Sequence, residues 1–225
     1  MNFRVLGLMR CESGRRCFIL ANGPSILQHN LSLIKNDVVI SLNASPMLEE
    51  KFCFSAGYYC LSDPRFFEDE KKRIIAESKI KDASVLIARD NILDAINNYS
   101  IEIPNLKKAV FLNPIGRDGF SKNLCKGYYI GASTTYLAVQ LAYWMGCAEV
   151  YILGLDLQYQ FGEDKYRFYS EAVTQEFDYL ASVQLNGLCL ASESFKQSGR
   201  KLCICNTESW ATPYLDYVNF DKLFV

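Results

Sequence analysis

Several strand-like runs of this chain stop on residues that can hydrogen-bond a ligand. Asn22, Gly23 and Ser25 follow Cys17–Leu20, Asn43 follows Val38–Leu42, and Ser62 and Asp63 follow Tyr58–Leu61. Asn113 follows Lys108–Leu112, Asp156 follows Val150–Leu153, and Asn206 follows Leu202–Ile204. Ser133, Thr134 and Thr135 head an alanine-rich stretch that closes at Gly146. Amides, hydroxyls and a few carboxylates, without clustered lysine or arginine, suit the reading of a nucleoside or sugar by hydrogen bonds. They offer no triphosphate cradle, because Gly-x-x-x-x-Gly-Lys-Ser/Thr is absent. Nor is there a dinucleotide fingerprint: after Leu20 the chain reads Ala-Asn-Gly-Pro-Ser, not Gly-x-Gly-x-x-Gly. Taken singly, each residue also reads as local structure. Asn22 and Asn43 can cap strand-to-helix turns, Asp156 can be an N-cap, and Ser133 and Thr134 suit a helix start. Their convergence on one sheet edge is what points to a site.

The elements that would bring them there are legible. Besides the runs above, Ser84–Ala88 reads as a strand, and Pro64–Lys79, Asp90–Asn97, Ala132–Met145 and Gln175–Ser198 read as helices. Strands alternating with helices predict an α/β fold with a mostly parallel central sheet covered on both faces. In such sheets ligands collect at the carboxyl ends of the strands. After Gly23 the apolar residues Ile26, Leu27, Leu31, Leu33 and Ile34 have helical spacing. That predicts strand, glycine turn and helix, which presents backbone N–H groups to a phosphate. The chain reads as one domain over 1–225, with a mobile polar loop over 158–171.

Composition narrows the function. The formal net charge is −1, with 24 basic and 25 acidic residues, so nothing attracts nucleic acid. Nine cysteines lack any Cys-x-x-Cys pair and the one histidine, His29, stands far from any cysteine pair, so reduced, buried, structural thiols and a cytoplasmic setting are expected. The apolar stretch Tyr136–Leu153 is broken by Gln140, Gly146 and Glu149, and no leader is evident, so no membrane span is expected.

Cys17-Phe-Ile-Leu-Ala-Asn-Gly-Pro-Ser25, then Ile40-Ser-Leu-Asn43, Ser133-Thr-Thr135 and Glu149-Val-Tyr-Ile-Leu-Gly-Leu-Asp156 stand in an order that resembles the bacterial sialyltransferases of glycosyltransferase family 42. It also resembles the broader motility-associated-factor group, to whose tail Tyr217-Val-Asn-Phe-Asp-Lys-Leu-Phe224 is similar. The resemblance implies a single-domain glycosyltransferase A-like (Rossmann-type) fold. It implies a metal-independent transfer from a CMP-activated donor to a surface glycan such as lipopolysaccharide or capsule, with no cofactor. Asn22, Gly23, Ser25 and Asn43 would then meet the donor, Ser133 and Thr134 would face its sugar, and Asp156 would hydrogen-bond the nucleoside. Tyr159 and Tyr166 match a pair whose hydroxyls stabilise the departing phosphate, a role that aimed O–H donors fill in place of a metal.

Two family features are missing. No histidine stands beyond the tyrosine pair, which leaves Asp164, Glu163 or Glu171 as candidate general bases. Tyr129-Ile130-Gly131 occupy the place of an arginine. His29 reads as a packing or surface residue. Two other functions remain open at this level: a Mg·ATP-dependent pterin pyrophosphokinase-like enzyme, and a non-catalytic nucleotide-binding partner subunit. Self-association and a peripheral location at the inner membrane face are likewise open.

Overall fold

The computed structural model describes residues 3–82, 84–157, 167–169 and 181–225. The apolar runs form β1 (Arg16–Leu20), β2 (Val38–Leu42), β3 (Tyr58–Leu61), β4 (Val85–Arg89) and β5 (Ala109–Leu112). A small pair, β6 (Pro114–Gly116) and β7 (Tyr128–Tyr129), precedes β8 (Glu149–Leu153), β9 (Lys201–Ile204) and β10 (Asp216–Tyr217). Eight strands make one parallel sheet in the order β10-β9-β8-β1-β2-β3-β4-β5. Apart from the exposed two-residue β10, their near-continuous apolar character follows from burial on both faces.

Alternate residues of each strand enter opposite cores. Cys17 and Ile19 of β1, with Ile40, Cys60, Val150 and Ile152, pack under α5 (Thr134–Trp144) and α6 (Ala181–Gln197). Phe18 and Leu20, with Val39, Tyr151 and Leu153, face Ile26, Leu31, Ile34 and Phe220. Farther along that side, Tyr59, Leu61, Leu86 and Ala88 meet residues of α3 (Glu70–Lys81) and α4 (Ile92–Asn98). The short α1 (Phe3–Gly7) is tied to the end of α5 by the Trp144 indole N–H on the Val5 carbonyl at 2.8 Å. Ten of the eleven residues of α5 are buried, so it is enclosed all round rather than along the stripe its sequence suggests.

Some expectations are corrected. The segment after Gly23 is not one α-helix but two 3-10 turns, Pro24–Gln28 and Leu31–Ile34. Asn30 separates them, its Oδ1 accepting from the Ser32 N–H and hydroxyl. The predicted helix over 64–79 divides likewise into a 3-10 turn, Pro64–Phe67, and α3, because Asp69 supplies a fresh N-cap to the Lys72 N–H. The early part of the predicted helix from Gln175 lies outside the described residues. None of the nine cysteines is disulfide-bonded, yet burial is not uniform: Cys11 and Cys53 are exposed. Burial pushes Cys203 up to about 11 and Cys205 up to about 12, so both pack as neutral thiols. Among the described residues no helix is long and apolar enough to cross a membrane.

One charge network braces the sheet flank. Lys79 of α3 is buried, with Nζ 2.7 Å from Glu49 Oε2 and 3.0 Å from Asp82 Oδ2. Glu49, in α2 (Met47–Phe52), also accepts from the Ser41 hydroxyl and the Ala56 N–H. Lys79→Ala leaves that carboxylate enclosed without a counter-charge. It is expected to remove about 3 kcal/mol of stability, read as a lower urea midpoint at unchanged slope.

Candidate functional site

The chain builds β1 to β5 in one direction, then returns to set β8 on the other side of β1. This reversal is the switch point of the sheet, and it is in the crevice beyond the carboxyl ends of the strands at such a point that open parallel sheets bind ligands. Asn22, Gly23, Ser25 and Asp156 all gather there. Pairing continues past the strands: the Ala21 N–H reaches the Leu153 carbonyl at 2.9 Å and the Gly23 N–H the Gly154 carbonyl at 2.7 Å. A Cβ on residue 23 would stand 2.5 Å from Asp156 Oδ2 and 2.6 Å from the Gly154 oxygen, so only glycine fits.

The backbone donors of this turn are already engaged. Pro24 has none, the Ser25 N–H bonds Asp156 Oδ2 at 3.0 Å, and the Ile26 N–H turns back to the Gly23 carbonyl. The Ser25 hydroxyl and, at 2.8 Å, the Asn206 Nδ2 both donate to Asp156 Oδ1. Asp156 thus occupies the position where the sequence predicts a bound phosphate. The turn after β1 is an anion site, and its anion is the protein's own.

Asn22 is buried and its carboxamide clips two loops together. Nδ2 donates to the Leu42 carbonyl at 3.0 Å, and Oδ1 accepts from the Ala44 N–H at 3.1 Å. Asn43, beside that clip, has a different environment. Its backbone is left-handed (φ 49°), held by the Tyr59 hydroxyl on its carbonyl at 2.8 Å. Its own Oδ1 is buried and has no hydrogen-bond partner among the described residues. On the next strand Ser62 shares a 2.6 Å hydrogen bond with Thr134 Oγ1. Ser133 caps α5, its hydroxyl oxygen accepting from the Tyr136 N–H at 3.1 Å. Tyr159, Glu163, Asp164, Tyr166 and Glu171 lie outside the described residues. The Phe168 N–H, which is described, bonds the Asn22 carbonyl at 3.0 Å.

Five buried side-chain atoms lack a hydrogen-bond partner among the described residues: His29 Nε2, Asn43 Oδ1, Arg89 Nε, Asn91 Oδ1 and the Tyr128 hydroxyl. All belong to segments on the carboxyl side of the sheet. An unmade buried hydrogen bond costs about 1–3 kcal/mol. Arg89, Asn91 and Tyr128 carry no motif. Their one sequence signal is that the run from Ser84 ends, like its neighbours, on polar residues. Among the described residues no group of three or more His, Cys, Asp or Glu is placed to hold a metal ion.

His29 is half-buried at the crevice wall, its ring 4.9 Å from that of Phe220. Burial pulls its imidazole below the ordinary value, against the Asp221 and Asp156 carboxylates and a hydrogen bond with the Cys205 backbone. Since the unfolded chain takes up that proton first, its stabilising contribution is complete above pH 6.5 and is lost as pH falls toward the depressed folded value. Melting temperature measured from pH 7.5 to 5.5 is therefore expected to fall more steeply in the wild type than in His29→Gln.

No protein-family model matches the sequence, and no curated protein matches it. Solved structures match its fold. The MAf glycosyltransferase from Magnetospirillum magneticum AMB-1 aligns over 96% of this chain with a TM-score of 0.59 and 12% identity. The chain spans 37% of that protein's length. The sialyltransferase CstII from Campylobacter jejuni, in complex with cytidine-5'-monophosphate, aligns over 90% of this chain and 84% of its own, with a TM-score of 0.53 and 14% identity. Its complex with CMP-3FNeuAc gives a TM-score of 0.53 at 13% identity, over 90% of this chain and 86% of that one. At such identities the likeness is one of fold, and it is to the two groups that the sequence motifs resemble: the chain has a glycosyltransferase-like α/β fold.

Proposed function

We propose that this chain is a metal-independent glycosyltransferase that moves a sugar from a CMP-activated donor onto a hydroxyl of a bacterial surface glycan, such as lipopolysaccharide or capsule. The reading rests on Asn43. A left-handed backbone and an unpartnered carboxamide oxygen are both unfavourable, and both stand beside the crevice at the sheet's point of reversal. A ligand hydroxyl or amino group supplies the missing donor. The fold is also that of CstII, a protein captured with cytidine-5'-monophosphate.

In this reading the acceptor oxygen attacks the anomeric carbon as the bond from that carbon to the CMP phosphate breaks, with inversion. The acceptor proton passes to a carboxylate of the segment over 158–171, with Asp164 the first choice. The Tyr159 and Tyr166 hydroxyls donate to the departing phosphate, where charge develops. Ser133 and Thr134 face the donor sugar from the start of α5. Asn22 and Asp156 act through the loops they hold, and Gly23 and Ser25 form the crevice floor.

A thermal-shift titration tests the reading. CMP at 100 times its dissociation constant is expected to stabilise the fold by ~2.7 kcal/mol, equally with Mg²⁺ and with EDTA, while UDP, GDP and ATP have no effect. Asn43→Gly keeps the backbone conformation and deletes the carboxamide. It is expected to weaken CMP binding about tenfold with little change in melting temperature. A response confined to Mg·ATP overturns the reading in favour of pyrophosphokinase chemistry.

A further inference from the structure

The chain has two tryptophans, and the fold treats them oppositely. Trp144 is buried at the end of α5, with its indole N–H on the Val5 carbonyl. Trp210 is 42% exposed, in the segment that leaves β9. That segment turns back over the exit of β8: the Trp210 N–H bonds the Asp156 carbonyl at 3.3 Å, and Asn206 Nδ2 holds the Asp156 carboxylate. Fraying does not explain the exposure. Ser209 and Ala211, on either side of Trp210, are buried, and so is Leu215. Ser209 Oγ accepts from the Ala211 N–H at 3.0 Å, and the Thr212 hydroxyl donates to the Asn206 carbonyl at 2.8 Å, which closes the turn. Between two inward residues the indole is turned outward. Among the described residues it meets no other ring, and its N–H makes no hydrogen bond.

An indole on a tied-down turn presents a flat π face, on which any nucleobase can stack. Place and charge both favour a base. The turn lies at the β1–β8 reversal, where open parallel sheets bind ligands. Residues 206–217 include Glu208 and Asp216 and no lysine or arginine, so the segment repels a phosphate and tolerates an uncharged ring. β8 lies two strands from β2, about 10 Å along the edge, a span comparable to the reach of one mononucleotide lying between Asn43 and Trp210. Asp156, which the sequence resemblance assigns to the nucleoside, is occupied by Ser25 and Asn206. The base is thereby left without the partner the motifs supply, and the exposed ring stands next to the residue that was to provide it.

We propose that Trp210 stacks on the nucleobase of the bound nucleotide. The proposal rests on the nucleotide-sugar reading of the site, and its test separates the two. Tryptophan emission and thermal shift are followed while CMP, AMP, ribose 5-phosphate or methyl galactoside is titrated into the wild type, Trp210→Ala and Trp210→Phe. CMP is expected to quench the wild-type emission but not that of Trp210→Phe, in which Trp144 alone remains. Trp210→Ala is expected to bind CMP about tenfold more weakly, Trp210→Phe nearly as well as the wild type, and all three to respond alike to ribose 5-phosphate, which has no base. The ring is exposed, so the unliganded melting temperatures are expected to agree. CMP affinity unchanged in Trp210→Ala, or reduced in step with that for ribose 5-phosphate, overturns the stacking role and leaves the CMP reading in place. Quenching by AMP alone, lost in Trp210→Phe, supports the stacking role and overturns the CMP reading instead. Quenching by methyl galactoside and by neither nucleotide would assign the ring to a sugar and overturn the proposal, as would silence with every ligand.

Discussion

The carboxylate of Asp156 organises the carboxyl edge of the sheet. It accepts from the Ser25 N–H, the Ser25 hydroxyl and the Asn206 carboxamide, joining the exits of β1, β8 and β9. Hydrogen bonds to an ionised acceptor are the strong ones, and this set holds together segments far apart in the chain. The absence of a side chain at Gly23 follows from it, since any Cβ there would collide with the carboxylate. So does the character of the crevice. With its anion position filled from within, the turn after β1 is fixed, and the side-chain oxygen without a partner among the described residues lies one strand over, at Asn43.

The sheet was legible because buried parallel strands are short apolar runs, and each such run ends where the backbone meets polar turn residues. β6, β7 and β10 were not, since two or three residues cannot display a period. After Gly23 the apolar spacing did suggest a helix. Spacing does not register that Asn30 resets the chain or that Asp156 captures the first free N–H, and these are tertiary facts. The same limit applies to the site. Asn22, Asn43 and Asp156 stand out by type and position, but which of them is committed to the fold depends on partners as far as 22 and 131 residues away.

The C-terminal segment covers one face of β1. Phe220 and Phe224 pack on Phe18 with ring centroids 5.9 and 6.0 Å apart. Arg16 binds Asp37 through two nitrogens and the Leu223 carbonyl through a third, with its guanidinium 4.6 Å from the Phe224 ring. His29, which by sequence reads as a packing or surface residue, sets its ring at a tilt to that of Phe220 in this assembly. The first strand is therefore braced at its entry by a cation and at its exit by the Asp156 network.

The enclosure of α5 has a dynamic consequence. A helix covered on every side cannot tilt or slide without opening the core around it. Its amides should therefore exchange with solvent only through global unfolding, at the slow end of the molecule's range. Ser133 and Thr134 begin that helix. Whatever settles against them meets a stationary surface, and any closure around a bound molecule has to come from the segments that face it.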